Sequence, residues 1–328
     1  MDHAFKNPRA TFVAAIAAIA AVLSPGAASA QDYPNKPITW IAPSSAGGGF
    51  DIISRLIAPK LSEILGQSVV VQNIEGAGAT IGAAVAAEAA PDGYTILLAN
   101  ANHTVGMSLY KDLKYDVVES FDPIIRFAEI YQVFIANPDL EAKTLGEFVA
   151  LAKEKPGELN AAHAGVGSPT HICLELLKLQ AGIDFVEIPY AGGGQALTSV
   201  VSGETDMECA LYSASKPFIE DGKVRALAMT SKERTSFAPD IPTAAETIPD
   251  FVFLGWFGAL VPKGTPEPVR AKIGAAIKAA IADPTIKQRI IDLGMSPIDD
   301  GPEAFAAYLK KEVEDSRTLV EKADIQPQ

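Results

Sequence analysis

The sequence predicts an α/β fold of two lobes, with mainly parallel sheets flanked by helices and two hinge strands between the lobes. Short β-branched runs alternate with helical patterns almost throughout, the signature of strands joined by helical crossovers. Several of the runs are apolar without alternation, as strands covered on both faces must be. The 328 residues also exceed one ordinary domain and suggest about two.

Residues 1–30 stand apart. Lys6 and Arg9 precede the apolar run "FVAAIAAIAAVL", and Ala28-Ser29-Ala30 is a small-residue cleavage site before Gln31, which together read as a signal peptide. No later stretch approaches the ~20 unbroken apolar residues of a membrane-spanning helix. The mature chain is therefore expected to be soluble and exported.

Candidate strands then follow in order: "ITWIA" (38–42), "VVVQN" (69–73), "TILLAN" (95–100), "VFIAN" (133–137), "LNAAHA" (159–164), "FVEIPY" (185–190), "DMECAL" (206–211) and "VRALAMT" (224–230). Thr144 with Glu147 forms a capping box, and Ser168-Pro169, Thr265-Pro266 and Asp283-Pro284 read as N-cap followed by the first helical residue. Gly203, Gly222 and Gly294 sit where helices end. Pro59 falls inside a helical pattern and should kink it or end it early. From about Thr265 onward the pattern is only helical. This order assigns residues 31–128 plus 253–328 to one lobe and 129–252 to the other, with crossings near 128–131 and 250–254.

Formal net charge is −13, and losing Asp2, Lys6 and Arg9 with the leader makes it −14. That balance argues against nucleic acid and anionic membrane surfaces as partners. An anionic ligand would gain nothing from the long-range field, so its site must act locally, within a Debye length of roughly 8 Å. Cys173 and Cys209 leave a disulfide and two buried thiols both open. Their positions in different predicted elements favour the thiols.

Three glycine-rich loops join a predicted strand to a predicted helix: residues 43–50, 163–172 and 189–197. A helix N-terminus presents unpaired N–H groups and about half a positive charge, so it stabilises a small anion without a cationic side chain. None of the three loops contains Lys or Arg. At about 1.5–3 kcal/mol per hydrogen bond to a charged group, four or five aimed donors would give micromolar binding after ordering costs. Asp51 is placed to brace the first loop and pair with Arg55 one turn on. Ser168 and Thr170 add hydroxyls to the second.

Other chemistries fit less well. "GAGATIG" (76–82) follows a strand, yet its G-x-G-x-x-x-G spacing departs from the dinucleotide fingerprint and no acid closes a second strand at the required distance. There is no P-loop lysine motif and no G-x-S-x-G elbow. His103, His163 and His171 share no metal-ligand spacing with each other or with cysteine, so neither metal nor cofactor is expected. Trp256 and Phe257 read as core or cleft wall.

The segments "YPNKPITWIAPSSAGGGFDIISR", "GQSVVVQNIEGAGATIGA", "APDGYTILLA", "GSPTH", "IPYAGGGQAL", "SGETDM", "GKVRALAMTS" and "DIPTAAE" resemble, in order and spacing, the exported solute receptors of tripartite tricarboxylate transporters, also called Bug-type periplasmic binding proteins. The resemblance covers essentially the whole mature chain. It implies a type II-like periplasmic-binding-protein fold that closes over a small carboxylate (a di- or tricarboxylate, or an aromatic one) and hands it to two integral membrane transporter subunits. It implies no catalysis and a monomer. Site residues carried over are Ser44, Ser45, Ala46, Gly47, Gly48, Gly49 and Phe50 from the first loop. From the second they are Gly167, Ser168, Pro169, Thr170 and His171, with Ala191, Gly192, Gly193 and Asp206 lining the cleft. In such receptors bridging waters commonly complete the carboxylate's hydrogen bonds. The first loop departs from the family at Ser45-Ala46 and at Phe50, which makes Phe50 the expected source of a distinct ligand preference. Phe50, Tyr190 and Trp256 leave a longer or aromatic carboxylate open. Two other function classes remain at this stage: a ligand sensor for a membrane signalling protein, and an exported α/β enzyme acting on a carboxylate.

Overall fold

The computed structural model describes residues 33–323 and 325, so the expected signal peptide lies outside the described residues. Eight strands form the path β2-β1-β3-β9-β4-β7-β5-β6, and β8 and β10 each pair with β4. The strands are β1 (Ile38–Ala42), β2 (Val69–Asn73), β3 (Thr95–Ala99), β4 (Phe121–Ala136), β5 (Asn160–His163), β6 (Val186–Pro189), β7 (Met207–Leu211), β8 (Arg225–Met229), β9 (Leu254–Pro262) and β10 (Met295–Asp300). The helices are α1 (Gly49–Leu65), α2 (Thr80–Ala87), α3 (Ala101–Leu109), α4 (Leu145–Glu154), α5 (Pro169–Ala181), α6 (Gly193–Ser202), α7 (Tyr212–Glu220), α8 (Glu267–Ala282), α9 (Pro284–Asp292) and α10 (Pro302–Lys322).

The strand that organises both lobes is β4. Its first part pairs antiparallel with β9 and β10, from Phe121 opposite Pro262 to Tyr131 opposite Leu254. Its second part pairs with β7 and β8, from Gln132 opposite Leu211 to Ala136 opposite Met207. The strands that carry the glycine loops are parallel: β1 with β2 and β3, and β5 with β6 and β7. Their carboxyl ends therefore face one way within each lobe, where ligands bind in open α/β sheets.

The sequence reading saw only the last residues of β4, because Asp122, Arg126 and Glu129 interrupt the apolar run. Each of those charges is paired within the fold. Asp122 accepts from the Gly264 amide at 2.9 Å, and Arg126 Nε donates to Asp300 Oδ2 at 2.8 Å. Glu129 lies 3.4 Å from Arg126 and accepts from the Tyr131 hydroxyl at 3.0 Å. Two further strands were missed. β9 carries Gly258, where a Cβ would stand 2.5 Å from the Phe305 ring, so only glycine admits that contact. β10 is polar and contains Pro297, and it corrects the expectation that everything after Thr265 is helical.

Helix boundaries follow the predicted caps, with two corrections. Thr265 does not cap α8; Pro266 occupies that position and the Thr265 hydroxyl bonds the Pro262 carbonyl at 2.7 Å. Pro59 does not end α1, because Ile53, Ile57, Leu61 and Leu65 are all buried at a spacing of four and hold the helix to the core on both sides of the proline. A third correction concerns the cysteines. Cys173 of α5 and Cys209 of β7 form a disulfide across 36 residues, with Cα atoms 6.3 Å apart, inside the apolar core of the second lobe. Their separation in the chain hid their proximity in space.

The lobes meet beside β4. Leu109 of α3, Ile172 of α5 and Leu319 and Val320 of α10 form one apolar cluster that bridges them. Beneath it, Glu312 of α10 accepts from Trp256 Nε1 at 2.7 Å and from the Thr104 hydroxyl at 2.9 Å. Arg126 stacks on the Tyr308 ring at 4.0 Å. Burial pushes the Glu312 carboxyl from 4.5 up to about 7, against the opposing effect of its hydrogen bonds and Arg126. The folded chain thus keeps a proton that the unfolded chain releases above pH 4.5, and stability falls as pH rises from there to about 7. Glu312→Gln, which mimics the protonated acid, should match the parent in melting temperature near pH 5 and exceed it at pH 8. A gap that does not change with pH would contradict this assignment.

Candidate functional site

The first loop is a strand end turned into an open helix start. The chain leaves β1 at Ala42 and enters α1 through Gly48, which supplies no side-chain cap. A Cβ on Gly48 would lie 2.9 Å from Ser44 Oγ and 3.1 Å from the Ser45 carbonyl, so the turn excludes any larger residue there. Gly47 sits at φ +82°, in the left-handed region, and donates to Asp51 Oδ2 at 2.9 Å. Asp51 in turn receives Arg55 Nε at 2.8 Å, Arg55 reaches Asn73 Oδ1 at 3.1 Å, and Asn73 Nδ2 holds the Ser44 carbonyl at 3.0 Å. The Gly47 amide, with Asn73 and Arg55 behind it, keeps the Asp51 carboxyl below the usual carboxylate range. This closed ring fixes the loop from below. Among the described residues nothing accepts from the amides of Gly49, Phe50 and Asp51.

The third loop repeats the construction in the other lobe. α6 begins after Gly192, again without a side-chain cap, and the amides of Gly193 and Gly194 are exposed and unpaired among the described residues. Gln195 Oε1 takes the Ala191 amide at 3.3 Å and shapes the turn.

The second loop differs, because its polar groups serve one another. Ser168 Oγ caps α5 by accepting from the His171 amide at 3.3 Å. Thr170, buried, accepts from the Ala164 amide at 2.8 Å and shares a 3.0 Å bond with Ser168 Oγ. Two hydroxyls that share one bond leave one hydrogen free, and half-buried Ser168 is the residue that can present it. His171 is buried: Nδ1 accepts from the Gly167 amide at 3.1 Å, while Nε2 faces Glu187 Oε2 at 3.1 Å. With both ring nitrogens engaged, His171 is not placed to act as a base on Ser168.

The fold also gathers histidines that sequence spacing kept apart. Ligand atoms of His163, His171 and Glu187 lie within 4.8 Å of one another, and the two imidazoles stack at 4.6 Å between centroids. Lys178 stands 3.4 Å from Glu187, and the His171–Glu187 contact already fills the gap between two of the ligand atoms. The arrangement ties α5 to β6, and thereby the second loop to the strand that leads into the third. Burial lowers the His163 pKa, so its ring is neutral over a wider range than a free histidine.

Two expected site residues sit elsewhere. Asp206 precedes β7 and its Oδ2 accepts from the Asn160 amide, at the start of β5, at 2.7 Å. That is the opposite end of β5 from the second loop, about 10 Å away at ~3.3 Å per strand residue. Its role is to align strand starts. The Phe50 ring is buried in the first lobe against Phe257 at 5.5 Å and His103 at 6.0 Å, so only its amide belongs to the loop surface. Sequence reading also passed over two features at the strand ends. Residues 76–79, set aside as a failed dinucleotide fingerprint, follow β2 with Gly76, Ala77, Gly78 and Ala79 all at positive φ. Non-glycine strain of this kind concentrates at ligand-binding segments. And α7 starts directly at the end of β7, with no side-chain cap from Leu211. A cavity of about 820 Å³ lies between the lobes; it borders Gly78, Asn102, Gly167, Ser168 and Pro169, but not residues 44–49 or 191–193.

A model of the tripartite tricarboxylate transporter family receptor matches residues 53–325. The chain belongs to this family. Among solved structures, the periplasmic binding protein BugD is 34% identical, covers 90% of this chain and all (100%) of its own, and superposes with a TM-score of 0.74. MatC from Rhodopseudomonas palustris with bound malate is 32% identical over 88% of this chain and 100% of its own, with a TM-score of 0.73. A third structure, from R. palustris with adipate, is 28% identical over 90% of this chain and 100% of its own, with a TM-score of 0.76. The chain is thus a solute receptor with the two-lobed α/β fold of periplasmic binding proteins, and the family is one of binding proteins rather than enzymes. No helix among the described residues is long and apolar enough to cross a membrane.

For this receptor the ring beneath the first loop sets up a direct test. Asp51→Ala frees the Gly47 amide and releases Arg55, so ligand affinity should fall several-fold in calorimetry while the far-ultraviolet circular dichroism stays unchanged. Unaltered affinity would show that the brace does not shape the site.

Proposed function

We propose that this receptor closes its lobes over a small organic carboxylate in the periplasm, after loss of its leader, and delivers it to the two membrane subunits of a tripartite tricarboxylate-type transporter. One observation carries the reading: α1 and α6, one in each lobe, open through glycine caps that leave their first amides unpaired, and no lysine or arginine lies in either loop. Such termini favour an anion held by several charge-assisted hydrogen bonds. Neither set suffices alone, so the contacts are complete only when the lobes meet, and ligand binding favours the closed state by that difference. The malate and adipate in the neighbouring structures are carboxylates, which supports the same ligand class here. Bridging waters at the loop amides would let one site serve carboxylates of different shape.

A thermal-shift screen of mono-, di- and tricarboxylates against the mature chain tests this. A bound carboxylate at 100 times its Kd should add about 2.7 kcal/mol of stability. Stabilisation by sugars or amines with none by carboxylates would sink the reading. In the same assay Ser168→Ala should lower affinity and also cost about 1 kcal/mol of unliganded stability through the lost α5 cap, whereas Thr170→Ala should lower the unliganded melting temperature because it leaves the Ala164 amide without its acceptor.

A further inference from the structure

The cavity between the lobes has two chemically different ends. Near the second loop it meets the starts of α5 and α3, at Ser168 and Asn102. Beyond them its walls are apolar, formed by Val105 and Leu109 of α3, Ile172 and Leu176 of α5, Phe253, and Leu319 of α10. The ionisable groups that line it are two cations, Arg126 and Lys311, and four acids, Glu129, Asp250, Glu312 and Asp315, of which burial holds Glu312 protonated up to about pH 7. Both cations are already matched. Arg126 pairs with Asp300 and Glu129 and lies flat on Tyr308, and Lys311 pairs with Asp315. The far wall is also the C-terminal half of α10, whose carbonyl end is the negative pole of that helix.

We propose that this cavity takes the apolar body of the ligand, and that the preferred substrate is a carboxylate with one anionic end and an extended aliphatic or aromatic tail. The inference rests on the receptor reading above and sharpens it. The cavity reaches the second loop at Gly167, Ser168 and Pro169 and does not border the first and third loops, so a ligand held at the loop amides would carry its tail past Ser168 into the space between α3 and α5. There about 820 Å³ of space falls within the range that encloses small ligands. A second carboxylate at the far end would meet acids in excess of cations and no helix N-terminus. The preference therefore departs from that of the relatives seen with malate and adipate, both of which carry two carboxylates.

The test is calorimetry on the mature chain with two series of matched length, straight-chain monocarboxylates from butanoate to decanoate and the corresponding α,ω-dicarboxylates. Affinity for the monocarboxylates should rise about fourfold per added methylene until the cavity is full. The dicarboxylates should bind more weakly at every length. Val105→Phe, which narrows the apolar wall, should remove the gain for the longer acids and leave butanoate unaffected. Gln180→Lys, an exposed change on the cavity rim, should raise dicarboxylate affinity selectively and does not depend on repacking. Affinity that is flat with chain length, or a preference for dicarboxylates with neither variant altering it, overturns the inference while the carboxylate reading stands. If no member of either series binds, the receptor reading fails and this inference falls with it.

Discussion

An amide at the start of a helix has no partner within the helix, and in α1 and α6 the sequence supplies none from a side chain. Everything else near the loops is arranged around that omission. Glycine at the cap removes the usual hydroxyl or carboxylate that would occupy the amides, and at Gly48 the packing of Ser44 and Ser45 forbids its replacement. Asp51 is the acid closest to the α1 start, yet its oxygens are turned to Gly47 and Arg55 and away from the free donors. In a chain of net charge −13, the proposed anion site would rely on backbone dipoles acting at contact distance. By contrast α5 caps itself with Ser168, so the second loop contributes one hydroxyl where the first and third contribute rows of amides.

Such a site is only as good as the relative placement of its halves, and β4 sets that placement. One continuous strand carries pairing partners of both lobes, and its polar residues lock into β10, α8 and α10 through Asp300, Arg270 and Tyr308. Arg126 places a buried, paired charge beside this crossing, where removing one partner is costly. The apolar cluster of Leu109, Ile172 and Leu319 packs the lobes against each other through side chains alone.

Much of this was legible in the sequence. Strands such as Val69–Asn73 coincide with the predicted run, and the caps at Ser168 and Asp283 form as expected, while Thr144 caps α4 but Glu147 takes the Lys143 amide at 2.6 Å and the box with Thr144 does not close. These are local effects: a hydroxyl or carboxylate reaches amides two or three residues away, and β-branched runs report burial on both faces. What the sequence hid depends on distant partners. The charges in β4 look like strand breakers until Asp300 and Gly264 are placed beside them. Asp206 is carried to the cleft by the family resemblance alone, yet backbone pairing puts it at the amino end of β7, bonded to the Asn160 amide. Phe50 follows the glycines in sequence but, as the second residue of α1, turns its ring toward the core. The cavity is the extreme case, assembled from α3, α5, α10 and both crossings, with no contiguous motif to betray it.

The central claim is that backbone amides from both lobes hold the ligand's carboxylate. Amide chemical shifts read this residue by residue. On titration of an isotope-labelled mature chain with a carboxylate that binds, the proton resonances of Gly49, Phe50 and Asp51, and of Gly193 and Gly194, should move downfield together with a single binding constant. Shifts confined to one lobe, or to the side chains of lysine and arginine with these amides unmoved, would contradict it.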